Sequence, residues 1–338
     1  MRIVIDAMGG DNAPAVNVEG AVAAARDYKI EVILVGDETA IKRELSKHNT
    51  AGLPLSVVHA CDVIGMHESP AQACRQKSDS SIMVATRLVK EGKADGLVSA
   101  GNSGAVMASS LMLLGRLSGV SRPAIASLIP TASGVSLIID AGANMDCKPK
   151  NLLQFAIMGD VFVKYIFNKT NPVIGLLSIG EESTKGNELT QAAFGLIRDS
   201  QLNFIGNIEG RDVSAGEVDV IVCDGFIGNI LLKFAEGLAF AIVDILKKEL
   251  SKSIWNKILL LSGLFAIKRS LKNLNKRIDY AEYGGAPLLG INGVSIIAHG
   301  ISNARAIKNA IKVAGELVDK KINEHLKAEL EMLNGMER

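Results

Sequence analysis

Arg2-Ile3-Val4-Ile5-Asp6-Ala7-Met8-Gly9-Gly10-Asp11-Asn12-Ala13-Pro14 opens the chain. The β-branched run Ile3-Val4-Ile5 reads as a buried strand. The Gly-Gly turn between Asp6 and Asp11 places polar groups at its carboxyl end, where ligands bind in open α/β sheets. Gly9 and Gly10 can adopt backbone angles that other residues avoid. Pro14 suits the first turn of a following helix, with Asn12 as the expected cap. The same alternation continues downstream. Strands are expected at 30–36, 55–60 and 96–100, and helices at 38–47, 81–92 and 102–117. The continuous apolar runs 135–140, 173–179 and 219–223 are typical of strands covered on both faces. Helices between strands imply right-handed crossovers. The prediction is an α/β fold with a mainly parallel sheet flanked by helices. It forms one interleaved domain over 1–338, with two lobes left open, and no linker or repeat divides it. A long C-terminal helix is expected over 302–333.

Composition narrows the function. The chain has 338 residues, 48% of them apolar, so a large core is available. Aromatic residues make up 4% and the net charge is +1, which argues against base stacking and against nucleic acid as a partner. Cys61, Cys74, Cys147 and Cys223 match no zinc spacing and read as reduced thiols of a cytoplasmic protein. No cysteine is expected to pair with a histidine, and no secretion signal is expected at the N-terminus. The apolar run 258–267, broken by Ser262 and Gly263, is too short to cross a bilayer.

Further glycine-bearing turns carry the chemistry. Ser99-Ala100-Gly101-Asn102-Ser103-Gly104-Ala105 leads into a helix, whose free N–H groups suit an anion, with Asn102 and Ser103 adding side-chain donors. A plain N-cap is the alternative for that turn. Asp140-Ala141-Gly142-Ala143-Asn144 closes another strand. Gly180-Glu181-Glu182-Ser183-Thr184-Lys185-Gly186-Asn187 is not a Walker loop, but it presents Lys185 as a point charge for phosphate. The plainer alternative pairs Lys185 with Glu181 or Glu182. Asp224-Gly225-Phe226-Ile227-Gly228-Asn229 places Asn229 at a helix start, where it can donate to phosphate or an oxyanion. Gly284-Gly285-Ala286-Pro287-Leu288-Leu289-Gly290 and Ala298-His299-Gly300-Ile301-Ser302 complete the series. No GxSxG elbow and no GxGxxG fingerprint is present. No metal site is legible and no cofactor is expected. Asp6, Asp11, Asp140 and Asp224 read as solvated turn caps rather than magnesium ligands.

DAMGGD, SAGNSGA, GEESTKG, DGFIGN, GGAPLLG and AHGIS, in this order over nearly the whole chain, resemble the PlsX family of phosphate acyltransferases. That family more often carries Thr where Ser103 stands and Asn where Ser178 stands. Serine keeps the hydroxyl at the first position and lacks the amide at the second. The resemblance implies a fold similar to phosphotransacetylases and the isocitrate/isopropylmalate dehydrogenase group, usually as a homodimer. It implies transfer of a fatty acyl group from acyl carrier protein to inorganic phosphate, giving acyl phosphate for phosphatidic acid synthesis. A glycerol-3-phosphate acyltransferase would act downstream. On this reading Lys185 and Asn229 are catalytic. Asn102, Ser103, Gly104 and His299 join them in binding phosphate. The alternatives are a phosphotransacetylase-like enzyme using acyl-coenzyme A and a non-catalytic membrane scaffold.

The segment 253–278 stands apart. Trp255, Leu260, Leu261, Leu264 and Phe265 are interspersed with Lys268, Arg269 and Lys272, and the segment holds no carboxylate before Asp279. An amphipathic basic helical hairpin over 251–278 is expected. It would touch a membrane surface or the acidic carrier protein, making the chain cytoplasmic and peripherally membrane-associated. Packing between subunits is the alternative.

Overall fold

The computed structural model describes residues 1–251 and 282–336. Trp255, Leu260, Leu261, Leu264, Phe265, Lys268, Arg269 and Lys272 lie outside the described residues, as does most of the expected hairpin. Eleven strands form one sheet in the order β3-β2-β1-β4-β11-β10-β5-β6-β9-β7-β8. The strands are β1 (Arg2–Asp6), β2 (Glu31–Gly36), β3 (Leu55–His59), β4 (Gly96–Ser99), β5 (Ala124–Pro130), β6 (Val135–Ile139), β7 (Ile174–Leu177), β8 (Phe204–Ile208), β9 (Val220–Val222), β10 (Ala286–Leu289) and β11 (Ser295–Ile297). The expected apolar runs thus form strands, each one to three residues shorter than the run.

The sheet contains two parallel blocks. β3, β2, β1, β4 and β11 run together, and so do β6, β9, β7 and β8. Between them, β10 and β5 pair antiparallel, and β5 turns back on β6. The second block therefore points opposite to the first. Strand twist reconciles them. Five steps separate β1 from β6, and roughly 20–25° per step turns the strand direction through more than about 100°. A side-chain contact joins the carboxyl ends of the two blocks: Lys233, on the helix after β9, places Nζ 3.3 Å from Nε2 of His299, just past β11.

Helices cover both faces. Among them are α1 (Ala15–Tyr28), α2 (Glu38–Leu45), α3 (Pro70–Gln76), α4 (Ser81–Lys90), α5 (Ser103–Leu113), α6 (Pro149–Ile166), α7 (Glu188–Arg198), α8 (Asp212–Ala215) and α9 (Gly225–Ser251). α6 is buried on almost every side from Asn151 to Val163, which is why its sequence carries no clear amphipathic period. Three expectations change. Asn12 does not cap α1; the Asn17 amide inside its first turn donates to the Gly9 carbonyl at 2.8 Å and the Ala7 carbonyl at 3.0 Å. The expected C-terminal helix is two helices, Ala304–Asp319 and Ile322–Met336, parted where Lys321 turns left-handed at φ 49°. The long apolar helix is α9. Phe226, Ile230, Phe234, Leu238 and Ile242 recur every fourth residue along it, all exposed. Its stretch Gly225–Ile245 is, among the described residues, the one with the length and composition to cross a membrane. Lys233 and Glu236 interrupt its apolar letters, so a search for an unbroken run passes over it.

Candidate active site

Buried aspartates build the turns. Asp6 ends β1, accepting from Ser99 Oγ at 2.8 Å and from the Met8 N–H at 3.2 Å. Burial raises its pKa, while Ser81, Ser99 and the N–H groups of Met8 and Gly9 pull the other way. The Gly101 N–H donates to Ser99 Oγ at 3.0 Å, tying the turn after β4 to the turn after β1. A Cβ on Gly9 would stand 2.7 Å from the Gly101 nitrogen, so the two turns touch backbone to backbone.

Asp140 performs the same task in the second block. One oxygen accepts from the N–H groups of Ile125, Gly142 and Ala143 at 3.0, 3.2 and 3.0 Å. The other accepts from Asn144 N at 2.7 Å and Nδ2 at 2.8 Å. Burial again raises the pKa against these bonds. The 140–144 turn therefore already holds an anion, its own carboxylate. Asp6 and Asp140 are not the solvated caps expected of them, because both are buried and saturated with donors. Asp224 does act as a cap, accepting from the Ile227 N–H at 2.9 Å. Among the described residues no three His, Cys, Asp or Glu side chains are grouped to hold a metal.

α9 starts directly on the Asp140 turn. Gly225 donates to the Asn144 carbonyl at 2.8 Å, and a Cβ on Gly228 would overlap the Asp140 carbonyl. This approach sets exposed Asn229 against Gly142, whose added Cβ would lie 3.5 Å from Asn229 Oδ1. Four residues on, Lys233 reaches His299 and also pairs with Glu236 at 2.8 Å. Burial and the Lys233 charge lower the His299 pKa below its ordinary 6.5, against Glu236 and Asp11. The imidazole is therefore neutral at pH 7. Cys147 lies between Asp140 and Asp224; burial and these carboxylates push its thiol up to about 11.

Lys185 sits in the exposed loop after β7, which neighbours β9 in the sheet. The expected alternative partner Glu181 instead binds Arg211 at 2.9 Å. Lys185 makes no ion pair among the described residues. No hydrogen bond joins Lys185 to Asn229, though they follow neighbouring strands.

The α5 turn differs from expectation. Asn102 Oδ1 accepts from the Ala105 N–H at 3.2 Å, and its amide donates to the carbonyls of Met66 and Glu68 at 3.1 Å each. Its side chain is thus an N-cap and a clamp on the 65–68 loop. Ser103 and Gly104 remain as the first N–H donors of α5, with Ser103 exposed. Two features escaped the sequence. Exposed apolar side chains rim these turns: Ile179 is 80% and Met145 71% exposed, with Phe226, Ile227 and Ile301 close to half. Cys61 does have a histidine neighbour: just past the end of β3, its sulfur lies 3.5 Å from His59 Nε2. A cavity of about 350 Å³ between Tyr28, Phe162, Phe167 and Lys312 is lined by Gly285 and Pro287 of the GGAPLLG turn and by none of the candidate phosphate-binding residues.

Comparison with known proteins agrees with this arrangement. The family described as fatty acid synthesis protein matches residues 1–325. A phosphate acyltransferase of Geotalea daltonii is 52% identical over 331 residues, covering 98% of this chain and 94% of the relative. Two solved structures share the fold. A phosphotransacetylase from Streptococcus pyogenes superposes with a TM-score of 0.62 at 20% identity, covering 94% of both chains. A 4-hydroxythreonine-4-phosphate dehydrogenase from Klebsiella pneumoniae gives 0.52 at 14% identity, covering 94% of this chain and 98% of the other. The expected likeness to phosphotransacetylases and to a dehydrogenase-type sheet is therefore correct, and by its full-length relatives the chain belongs to the PlsX family of phosphate acyltransferases.

Proposed function

We propose that this phosphate acyltransferase takes a fatty acyl group from acyl carrier protein and passes it to inorganic phosphate. A phosphate oxygen attacks the thioester carbonyl, the C–O bond forms, and the C–S bond breaks as the tetrahedral intermediate collapses. The electron pair leaves on the pantetheine sulfur, a thiol of ordinary pKa about 8.5 that takes a proton from water. Lys185 binds phosphate and screens its charge as it nears the carbonyl. Asn229 donates to phosphate or to the developing oxyanion. The N–H groups of Ser103 and Gly104 complete the cradle. His299, neutral at pH 7, serves as a hydrogen-bonding contact for phosphate.

The observation that carries this reading is Lys185: an exposed ammonium on a glycine-bearing loop, unpaired among the described residues while the neighbouring Glu181 is held by Arg211. Two further facts support it. The Cys147 thiol, pushed to about 11, and the Cys223 thiol, raised well above its ordinary value by complete burial, stay protonated at neutral pH. Neither competes as a covalent nucleophile. The exposed Ile179 and Met145 offer apolar contact for a fatty chain beside the loops.

The segment 253–278 is proposed to dock the protein on an anionic membrane surface or to receive the carrier protein, with the protein acting as a homodimer ahead of a glycerol-3-phosphate acyltransferase. Replacing Leu260 and Leu264 by Glu should abolish liposome binding; unchanged binding rejects the membrane role. The donor is tested by incubating the protein with palmitoyl-acyl-carrier-protein and phosphate and following thiol release together with acyl phosphate. Release with acyl-coenzyme A alone would favour the phosphotransacetylase-like reading, and silence with both donors would favour a scaffold.

A further inference from the structure

Asn207, one residue before the end of β8, opens the Asn207-Ile208-Glu209-Gly210-Arg211-Asp212 stretch of the glycine-bearing motifs, and it is polar yet only 6% exposed. Its Nδ2 donates to the Glu182 carbonyl at 2.8 Å. That carbonyl also takes the Lys185 N–H at 2.9 Å, closing the turn that carries the lysine. A single buried amide thus fixes the hinge point of the loop from below. The rest of the loop is arranged around the same point. A Cβ on Gly180 would stand 2.9 Å from Lys185 Cγ, so the lysine stem lies along a bare glycine. Gly186, at φ +103°, turns the chain back, and Gln191 from α7 donates to the carbonyls of Thr184 at 2.8 Å and Gly186 at 3.0 Å. Asn207 Oδ1 and the neighbouring Ser178 Oγ are buried with no hydrogen-bond partner. Keeping an amide there despite an unmet carbonyl indicates that its N–H half is the part in use.

We propose that Asn207 is a positioning residue for Lys185, holding the phosphate-binding loop through the Glu182 carbonyl. This rests on the assignment of Lys185 to phosphate. The Arg211–Glu181 pair and the two Gln191 bonds are further ties, but these side chains are exposed and such contacts contribute less than a buried one. The buried amide is therefore the main restraint. It acts on the ammonium through backbone geometry, so its loss changes phosphate capture and leaves recognition of the acyl donor intact.

The test uses Asn207→Asp and Asn207→Ala beside Lys185→Ala, with KM for phosphate and for the acyl donor measured separately across pH. Aspartate keeps the shape but, when ionised, presents an acceptor to the Glu182 carbonyl. Asn207→Asp should raise KM for phosphate by about tenfold near neutral pH with KM for the acyl donor unchanged. Relative to wild type it should recover as the pH falls and the acid regains a proton to donate; Asn207→Ala should not recover. Wild-type KM for phosphate in Asn207→Asp, or equal loss for both substrates at all pH values, overturns the inference. If Lys185→Ala itself leaves phosphate kinetics unchanged, the fault lies with the lysine assignment, and the inference falls with it. A thermal midpoint for Asn207→Asp at each pH separates loop displacement from unfolding: a recovery in KM without a matching recovery in the midpoint supports positioning, and a parallel change in both rejects it.

Discussion

Replacing Asp140 by Asn changes one atom at the centre of the second block, and the structure sets the size of the effect. The carboxylate accepts five N–H bonds, three on one oxygen and two on the other. An asparagine can keep its carbonyl toward the three. Its NH2 group then faces the Asn144 backbone N–H and side-chain amide, donor against donor. Each orphaned buried donor costs about 1–3 kcal/mol, or about 4 kcal/mol for the pair. Burial of the charge opposes this, since it is what raises the Asp140 pKa, and a neutral amide relieves part of that penalty. The net loss is about 3 kcal/mol, which for a chain of this length lowers the thermal midpoint by roughly 5 °C. The 140–144 turn also seats Gly225 and Gly228 of α9, and through them Asn229. Turnover of acyl phosphate should therefore fall at temperatures where the variant is still folded. Calorimetry and the thiol-release assay on one preparation measure both. A midpoint within 1 °C of wild type with full activity would refute the view that this carboxylate organises the turn.

Other substitutions probe the remaining links. Lys185→Ala and Asn229→Ala should each reduce turnover by about a hundredfold without changing the thermal midpoint; near-wild-type rates in both remove them from the chemistry. Gly228→Ala drives a methyl into the Asp140 carbonyl and toward Cys223 Sγ, so it should destabilise by about 3 kcal/mol or fail to accumulate as soluble protein; a normal midpoint would mean that α9 can shift at no penalty. His299 has its pKa lowered by burial and Lys233, so the unfolded chain takes up the proton first as the pH falls. Its contribution to stability is present above about pH 6.5 and is lost as the pH drops toward the lower folded value. His299→Gln should flatten that part of a plot of midpoint against pH between about pH 5 and 7, and an unchanged slope would contradict the assigned direction.

Most of the glycine-bearing turns were legible in sequence because they follow short apolar runs, and such runs become strands wherever both faces are covered. Val135-Ile139 and Val220-Val222 are examples. What the turns do with their donors was less legible. Asp6 and Asp140 look the same in sequence as a half-buried cap such as Asp224; only the burial supplied by distant strands makes them internal acceptors. Asn102 reads as a ligand contact because the partners of its amide, Met66 and Glu68, belong to an irregular loop with no sequence period. Asn207 opens one of the glycine-bearing motifs, but its task is hidden in sequence for the same reason, since its partner is a backbone carbonyl.

The inverted half of the sheet has a functional consequence. Had β10 and β5 continued the parallel order, five steps of twist would have splayed the two sets of strand ends apart by more than about 100°. The antiparallel insertion reverses the second block, so the same twist brings its carboxyl ends back toward those of the first. The contact between Lys233 and His299 lies on this closing seam, with α9 anchored at its base by Gly225 and Gly228. A change that loosens either anchor should affect both sides of the seam together. The double variant Lys233→Met with Gly228→Ala should therefore depart from additivity in the thermal midpoint, while Lys233→Met combined with a distant surface change such as Lys42→Met should not. Additivity in the first pair would place the two lobes under independent control and remove α9 as the link between them.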